Sequence, residues 1–199
     1  MDITVIGEGA VLAVPDLLRL QAGVEVRRAT AGEAFAAVRA AAARLSGALA
    51  AAGVAPHDIR TTELSLGPEY ESYPKVAAYR AAQGAEVVVR DLGRADHVID
   101  TVAGVGQEAR LHGLAFELSD PVTALAEART RAFRDAAAKA AQYAGLAGRP
   151  LGPVVSVTEE PDAGPRPLRM ALSAADTDAS VSPGRLTLSV RVQVGYAFA

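Results

Sequence analysis

The sequence predicts an α+β fold in which helices pack on one face of an antiparallel sheet. Several segments alternate apolar and polar residues with the period of a half-buried strand, and others repeat apolar residues every three or four positions, as amphipathic helices do. In the middle of the chain these segments follow the order β-α-β-β-α-β, typical of a split βαβ sandwich, and extra strands are expected at both ends. The chain has 199 residues, 50% of them hydrophobic, so we expect a single domain with a sizeable core.

The middle of the chain opens with a strand and a helix. Residues 18–26 alternate between apolar and polar side chains, so one face of this strand is expected to lie in the core. Thr30 and Glu33 have the spacing of a capping box, in which each side chain bonds to the other residue's backbone N–H. The helix that follows is expected to dock on the sheet and to end at Gly53. Its apolar residues recur every three or four positions: Phe35, Val38, Ala42, Leu45 and Leu49.

Two further strands, residues 59–66 and 79–89, are predicted to form a long hairpin. The connection between them is rich in turn residues and tyrosine: Gly67, Pro68, Tyr70, Tyr73 and Pro74. A shorter helix around Val98 is expected to stop at Gly106. Residues 109–118 then return as a strand, which completes the β-α-β-β-α-β order.

A third helix is expected to open at Asp120, with Pro121 at its first helical position, and to end at Gly145. Charged residues alternate in sign every four positions along it, so each neighbouring pair attracts across one turn, and this stripe is expected to face water. The stripe consists of Glu127, Arg131, Asp135 and Lys139. Alanines with the same spacing form a second face that lets the helix approach its neighbour closely: Ala128, Ala132, Ala136 and Ala140.

The last part of the chain is predicted to contain two strands separated by a long loop. Residues 154–158 form the first strand, and residues 186–198 show the clearest apolar alternation in the sequence. Between them, residues 161–184 collect Pro, Gly, Ser, Asp and Ala without apolar periodicity. A flexible loop is predicted there.

Charge and composition argue against several classes of partner. A formal net charge of −3 and a pI near 5.6 provide no general attraction for nucleic acid. The first residues lack the basic and apolar segments of a secretory leader, so a cytoplasmic location is expected, or export if a native leader is missing. The longest weakly polar run, residues 40–55, is interrupted by Arg44, Ser46 and Gly47, so membrane insertion is not expected.

No catalytic, cofactor or metal site is predicted. The chain has no cysteine, which excludes disulfides and zinc–thiolate sites. Gly7-Glu8-Gly9 lacks the third glycine of a phosphate-binding loop and is interpreted as a bulge or bend between two strand segments. The sequence has three histidines: His57, His97 and His112. Their spacing does not place two ligands on one face, so surface or strand positions are favoured over a metal site.

The aspartates and serines of the sequence favour structural roles over acid–base or nucleophilic chemistry. Paired carboxylates could come from four aspartates: Asp58, Asp91, Asp96 and Asp100. Asp58 and Asp96 lie at helix or strand entrances, where aspartate commonly accepts hydrogen bonds from backbone N–H groups, so capping is the favoured interpretation. Ser65 and Ser119 lie in no G-x-S-x-G elbow, so nucleophilic catalysis is not indicated.

Several short motifs occur in a fixed order along nearly the whole chain. They are Gly7-Glu8-Gly9, Pro15-Asp16, Gly23-Val24, Asp58-Ile59-Arg60-Thr61, Pro68-Glu69-Tyr70, Tyr79 at the start of a strand that ends Val89-Arg90-Asp91-Leu92, Gly113-Leu114-Ala115-Phe116, Glu127-Ala128-Arg129, Asp135 with Lys139-Ala140, Leu151-Gly152, and Pro183-Gly184 before alternating valines and Tyr196. In this arrangement the chain resembles the SIMPL domain family. The resemblance implies a bacterial protein of unknown biochemical function, in a family whose members are often exported, linked to oxidative stress or known as surface antigens. At least one member forms a large hollow homo-oligomer, and the family supplies no catalytic residues.

The leading functional hypothesis is a non-enzymatic protein that acts by self-assembly or protein interaction. Unpaired strand edges can pair with another chain, so a homo-oligomer of closed symmetry is expected, together with an unknown protein partner. The contact is expected at the hairpin between Tyr70 and Tyr79 or at the last strand. The candidate surface residues are Tyr70, Tyr73, Tyr79, Arg191 and Gln193. Tyrosine suits a recognition surface because it combines a large apolar ring with a polar tip, although packing across the hairpin explains the tyrosines equally well.

Two alternatives stay open. A small-molecule or peptide-binding module would use residues 161–184 as a lid over the sheet, and an apolar pocket with a few polar groups would favour it. An unrecognised hydrolase would need a buried carboxylate or histidine cluster that the spacing does not reveal.

The alternation in the last strand predicts which substitutions it tolerates. Val190, Val192 and Val194 are expected to face the core, and Arg191 and Gln193 to face away from it. Val192→Asp should lower the free energy of unfolding by several kcal/mol because it buries an unpaired charge, whereas Gln193→Asp should cost little. Thermal melting of the two variants checks this assignment, and equal melting temperatures would contradict it.

Overall fold

The computed structural model describes residues 2–160, 166–167 and 181–199. The α+β class predicted from the sequence is confirmed. In chain order the elements are β1 (Asp2–Ala13), β2 (Leu17–Arg28), α1 (Ala31–Ala51), β3 (Ile59–Ser72), β4 (Lys75–Val89), α2 (Ala95–Ala103), β5 (Ala109–Glu117), α3 (Val122–Leu146), β6 (Leu151–Glu159), β7 (Arg166–Pro167) and β8 (Leu186–Phe198). They form two compact units. The middle unit contains β2 to β5 with α1 and α2, and the terminal unit contains β1, α3, β6, β7 and β8.

The middle unit is an antiparallel sheet with the strand order β3-β4-β2-β5 and with α1 and α2 against one face. The predicted β-α-β-β-α-β order is therefore present, and the strand order is the one expected of a split βαβ fold. Alternate residues of β2 are buried beneath the helices: Leu18, Leu20, Ala22, Val24 and Val26. Full burial of each large side chain among them contributes about 1.5–3 kcal/mol.

Helix α1 begins at the predicted capping box. Thr30 Oγ1 accepts a hydrogen bond from the Glu33 N–H at 3.2 Å, and the Glu33 carboxylate accepts one from the Thr30 N–H at 3.2 Å. The helix is long and apolar enough to span a membrane by length and composition alone, but one side of it packs on the sheet as a core helix does. The buried residues are Ala34, Val38, Ala41, Leu45 and Leu49, whereas Phe35 is 37% exposed.

The β3–β4 hairpin is longer than predicted. Strand β3 continues to Ser72 and β4 begins at Lys75, so the tyrosine-rich stretch forms the ends of two strands and the chain reverses at Tyr73-Pro74. Strand β2 accompanies β4 only as far as the pair Arg28–Tyr79. Among the described residues, only β3 and β4 therefore pair over residues 68–78, which are called the projecting tip below. Most side chains here are exposed, so the sequence has no one-sided apolar pattern to mark the strands.

The extra strands at the chain ends form a sheet of their own, with the order β1-β8-β6 and β7 paired with the start of β8. In β8, Val190, Val192 and Val194 are buried and Arg191 and Gln193 are exposed, which confirms the predicted sidedness. The expectation that the last strand offers an unpaired edge is wrong. Strand β8 pairs with β1 over residues 186–197, and on its other side with β6 over residues 192–198 and with β7 at residues 186–187, so β8 lies between other strands and is not the edge of the sheet.

Helix α3 packs closely on β1 through the predicted alanine face. A Cβ atom on Gly7 would lie 2.0 Å from the carbonyl oxygen of Ala132, and one on Gly9 would lie 2.1 Å from that of Ala128. The bulge predicted at Gly7-Glu8-Gly9 is wrong, because β1 pairs with β8 from Asp2 to Ala13 without a register shift. The glycines instead let the helix backbone come within contact distance of the strand.

The sequence pattern predicted that the charged stripe of α3 faces water. In the structure this stripe also bonds to the backbone of β1. Arg131 and Lys139 donate hydrogen bonds to carbonyl oxygens of β1, and Asp135 accepts one from its backbone. The stripe therefore connects the helix to the edge of the sheet. The flexible loop and lid predicted over residues 161–184 lie outside the described residues, apart from residues 166–167 and 181–184.

Replacement of Gly7 by alanine should lower the free energy of unfolding by at least about 2 kcal/mol, since the added methyl group overlaps the backbone of α3. Gly113→Ala is the matched control, because Gly113 also lies in a strand and a Cβ there would meet nothing within 4 Å. Urea denaturation of both variants measures the difference. A Gly7→Ala protein as stable as wild type would contradict the close packing of α3 on β1.

Candidate functional site

The projecting tip exposes two of the three candidate tyrosines. Tyr73 is 86% exposed and Tyr70 is 48% exposed, and their ring centroids are 5.5 Å apart with a tilt of 53°. Val76 adds a further exposed apolar side chain. Tyr79 instead packs against the core cluster of the middle unit. The tip thus presents an aromatic pair at the end of a two-stranded projection.

The other two candidate surface residues lie in the terminal unit. Arg191 and Gln193 are on the exposed face of β8, in the strand between β1 and β6. The Arg191 guanidinium donates two hydrogen bonds to Glu8 Oε1, at 2.7 and 3.0 Å, and lies 3.6 Å from Glu160. The hydrogen bond to Glu8 raises the pKa of Arg191. Part of the hydrogen-bonding capacity of this guanidinium is therefore used within the terminal sheet.

The face of the middle sheet opposite the helices carries a network of ion pairs centred on Glu86, which is only 12% exposed. Arg19 donates to Glu86 at 2.7 Å and bonds twice to Glu117 Oε2, at 2.9 and 3.0 Å, and Arg60 donates to Glu86 at 3.1 Å. Burial opposes ionisation of Glu86, but the hydrogen bond from Gln21 and the charges of Arg19 and Arg60 outweigh it. The pKa of the Glu86 carboxyl is lowered as a result.

The network continues along the same face towards the projecting tip. Arg80 and Arg110 each lie 3.4 Å from the Glu25 carboxylate, and Arg27 contacts Glu69. Cations and anions alternate here, so the face attracts neither a polyanion nor a polycation as a whole. This surface differs in chemistry from the tyrosine pair at the tip.

A cavity of about 220 Å³ opens beside the C-terminal end of α1. Its lining combines apolar residues with four charged ones: Asp58, Arg90, Asp91 and Arg94. Asp58, only 7% exposed, accepts hydrogen bonds from Arg90 Nη2 at 2.7 Å and Nε at 3.0 Å. The position of Asp58 in the sequence predicted that its carboxylate caps backbone N–H groups. In the structure the carboxylate pairs with the Arg90 guanidinium instead. The hydrogen bonds from Arg90 lower the pKa of Asp58.

The second guanidinium of the cavity supports the helix end. Arg94 Nη2 donates to the carbonyl oxygen of Ala52, which follows the last turn of α1. Gly53 has a φ of +82°, and a Cβ there would collide with the Arg94 guanidinium at 2.5 Å. The geometry explains why α1 ends where it does. The cationic partner of Asp58 is Arg90 and not Arg94, and the bonds from Arg90 make this carboxylate a weak base.

The histidines and the remaining aspartates form no metal site in the described part of the chain. No group of three or more His, Asp or Glu residues there is arranged to hold a metal ion. His57 Nε2 lies 3.6 Å from Asp58 Oδ2 at an exposed position. Asp91 accepts a hydrogen bond from the Gly93 N–H at 3.0 Å, which is a local turn contact.

Sequence analysis missed the roles of Arg90 and Arg94. Both residues follow the last apolar position of β4, and the only signal was the motif Val89-Arg90-Asp91-Leu92 shared with the family. Spacing along the chain could not pair Arg90 with Asp58, because the two residues are 32 positions apart and meet only when β3 and β4 form the hairpin.

The fold and these surfaces define a class of protein: two α+β units, one with two helices and one with a single helix against an antiparallel sheet, in which Asp58, Glu86 and Arg191 are held in ion pairs. Comparison of sequences assigns the chain to a family. The profile of SIMPL, described as a protein of unknown function (DUF541), matches residues 3–196. The chain belongs to the SIMPL family, as its motifs suggested, and the match extends over both units.

Three relatives cover almost the whole chain. The 26 kDa periplasmic immunogenic proteins of Brucella melitensis and Brucella abortus are each 29% identical over 212 residues, which covers 98% of this chain and 83% of the relative. The uncharacterized protein YggE of Edwardsiella ictaluri is 28% identical over 202 residues, covering 96% of this chain and 84% of the relative.

The expected cytoplasmic location is wrong in the light of these relatives, because the two Brucella proteins are named as periplasmic. The expectation rested on the composition of the first residues. Residues 2–13 form strand β1 of the folded sheet, so their composition reflects packing against β8 and α3 and carries no information about export.

Replacement of Asp58 by asparagine should destabilise the protein by at most about 1 kcal/mol at neutral pH, since the ion pair is lost but the exposed Arg90 guanidinium stays solvated. The Asp58 carboxyl has a folded-state pKa below its ordinary value of 3.8, so its stabilising effect is present above that value and is lost as the pH falls through the folded-state pKa. The stability difference between wild type and Asp58→Asn should therefore shrink below about pH 4.

Denaturant titrations over a series of pH values measure this difference. Asp100→Asn is the control, because Asp100 is an exposed residue of α2 whose replacement should leave stability nearly unchanged throughout. A stability difference for Asp58→Asn that stays constant between neutral and acidic pH would show that the ion pair with Arg90 contributes nothing.

Proposed function

We propose that the chain is a non-enzymatic protein that acts through protein–protein contacts, including self-assembly into a closed homo-oligomer. The observation that carries this proposal is the exposed pair Tyr70 and Tyr73 at the end of the projecting tip. Tyrosine provides a large contact area at a small cost in side-chain entropy, and its hydroxyl group can bond to a partner at the rim.

The geometry of the tip supports the proposal independently of its composition. In the part of the chain that the structure describes, the tip has no third strand beside it, because β2 pairs with β4 only as far as Tyr79. An isolated two-stranded hairpin is marginally stable in water, and a partner that packs on its faces or adds a strand would stabilise it. The apolar side chains of Tyr70, Tyr73 and Val76 supply the surface for such a contact.

The charge pattern supports a binding role over a catalytic one. Asp58, the most buried carboxylate beside the cavity, is fixed by Arg90, and Glu86 is shared between Arg19 and Arg60. Acid–base catalysis favours a group whose pKa lies near the working pH, whereas the pKa values of both carboxyls are lowered.

We also infer that the chain works outside the cytoplasm, since the Brucella relatives that it matches over 98% of its length are named periplasmic proteins. The stress-related role implied by the family resemblance stays a prediction. A second candidate function is a binding module, which the cavity of about 220 Å³ with Arg90 and Arg94 at its wall favours.

Replacement of both Tyr70 and Tyr73 by serine should weaken self-association about tenfold or more, because both anchors of the contact are removed. Light scattering of the variant and the wild type over a range of concentrations measures the assembly mass. Tyr143→Ser is the matched control, since Tyr143 is similarly exposed, at 56%, but lies on α3. It should assemble as wild type does.

A wild-type protein that keeps a monomeric mass at every concentration would remove the self-assembly proposal and favour the binding module. Reduced self-association in the Tyr143→Ser control as well as in the tip variant would show that general loss of surface aromatics is responsible. In that case the tip has no special role.

A further inference from the structure

The edge of the terminal sheet is occupied by side chains of α3. Strand β1 lies at the end of the order β1-β8-β6, and the backbone groups of Ile6, Glu8 and Ala10 point away from β8. An edge strand with free N–H and C=O groups normally offers a template for another chain. Here three of these groups already have partners on the helix.

The partners form a ladder along the edge. Arg131 Nη1 donates to the Ala10 carbonyl oxygen at 2.8 Å, and Lys139 Nζ donates to the Ile6 carbonyl oxygen at 2.9 Å. Between them, Asp135 Oδ2 accepts a hydrogen bond from the Glu8 N–H at 2.9 Å. Cationic side chains thus bond to carbonyls, and the carboxylate bonds to the N–H.

The spacing of the stripe fits the repeat of the strand. Four residues of an α-helix rise about 6.0 Å, and two residues of an antiparallel strand extend about 6.8 Å. Positions 131, 135 and 139 therefore step along β1 almost in register with positions 10, 8 and 6. Small differences in spacing are absorbed by the long side chains of Arg131 and Lys139 at the two ends.

Neighbouring members of the stripe hold one another in place. Glu127 accepts a hydrogen bond from Arg131 Nε at 2.9 Å, and Lys139 Nζ lies 2.7 Å from Asp135 Oδ2. The stripe can reach the edge only because Gly7 and Gly9 allow α3 to lie against β1. The alternating signs follow from the strand, since an outward edge presents acceptors and donors in turn.

We propose that the Arg131–Asp135–Lys139 ladder seals the β1 edge against the addition of a strand from a second copy of the chain. This inference does not depend on the proposed role of the projecting tip. It concerns strand addition at the β1 edge, which the ladder prevents, and not a contact made by the tip. Loss of the ladder should open Ile6, Glu8 and Ala10 to edge-to-edge pairing.

The first experiment measures the exchange of the Glu8 amide hydrogen by NMR in dilute solution. In the wild type this amide should exchange slowly although it points away from the sheet, and in Asp135→Ala it should exchange about tenfold faster or more. A Glu8 amide that exchanges equally fast in wild type and Asp135→Ala would overturn the proposal.

The second experiment measures mass by light scattering as the concentration is raised. Asp135→Ala and Lys139→Ala should each form species of about twice the wild-type mass or larger, because the edge can then accept a strand. Arg134→Ala is the matched control, since it removes a charge from an exposed position of the same helix and should behave as wild type. Masses that follow the wild type in both ladder variants would overturn the proposal.

A rescue variant separates edge pairing from other causes of association. Glu8→Pro in the Asp135→Ala background removes the N–H that the ladder had covered, and proline is tolerated at an outward-facing position of an edge strand. The double variant should return to the wild-type mass. Association that persists in it would place the new contact elsewhere and contradict edge sealing.

Discussion

The close approach of α3 to β1 is the constraint on which the terminal unit depends. Gly7 and Gly9 have no side chain to separate the strand from the helix. The helix residues that face them are alanines, whose side chains are also small. This contact brings the charged stripe level with the edge of the sheet, where its side chains reach the backbone of β1. Without the glycines the helix would stand farther from the sheet. The interdigitated packing and the hydrogen bonds along the edge would then both be lost.

The middle unit is organised differently, because one face of its sheet forms an apolar core and the other face carries ion pairs. One face buries alternate apolar residues of β2 under the helices, while the other holds Arg and Glu side chains in a connected network. Individual exposed ion pairs contribute little to stability, but carboxylates such as Glu86 bond to several donors at once. That face of the unit is therefore polar with its charges largely paired, whereas the tip of the hairpin presents the exposed pair Tyr70 and Tyr73.

Much of the fold could be predicted from the sequence, because periodicity reports which side of an element is buried. The capping box at Thr30, the sidedness of β8 and the β-α-β-β-α-β order followed directly from local patterns. Long-range pairings could not be predicted in this way. The bond between Asp58 and Arg90, the position of β8 between two other strands, and the contacts between α3 and β1 all join residues far apart in the chain. Gly7 and Gly9 illustrate the difficulty. Glycine is the residue expected both at a strand bulge and where a helix packs closely on a strand, so its presence does not distinguish the two.

The pairing of β1 with β8 has a consequence for the order in which the protein folds. Asp2 lies opposite Ala197, so the sheet of the terminal unit joins the two ends of the sequence and cannot close before the last residues are available. The middle unit draws its strands from residues 17–117 and has a shorter loop to close. During synthesis the strands of the middle unit can pair before β8, the partner of β1, has been made. Loops that close over such long separations form slowly, so we expect the terminal sheet to form late in folding, and loss of β8 would leave β1 without its partner.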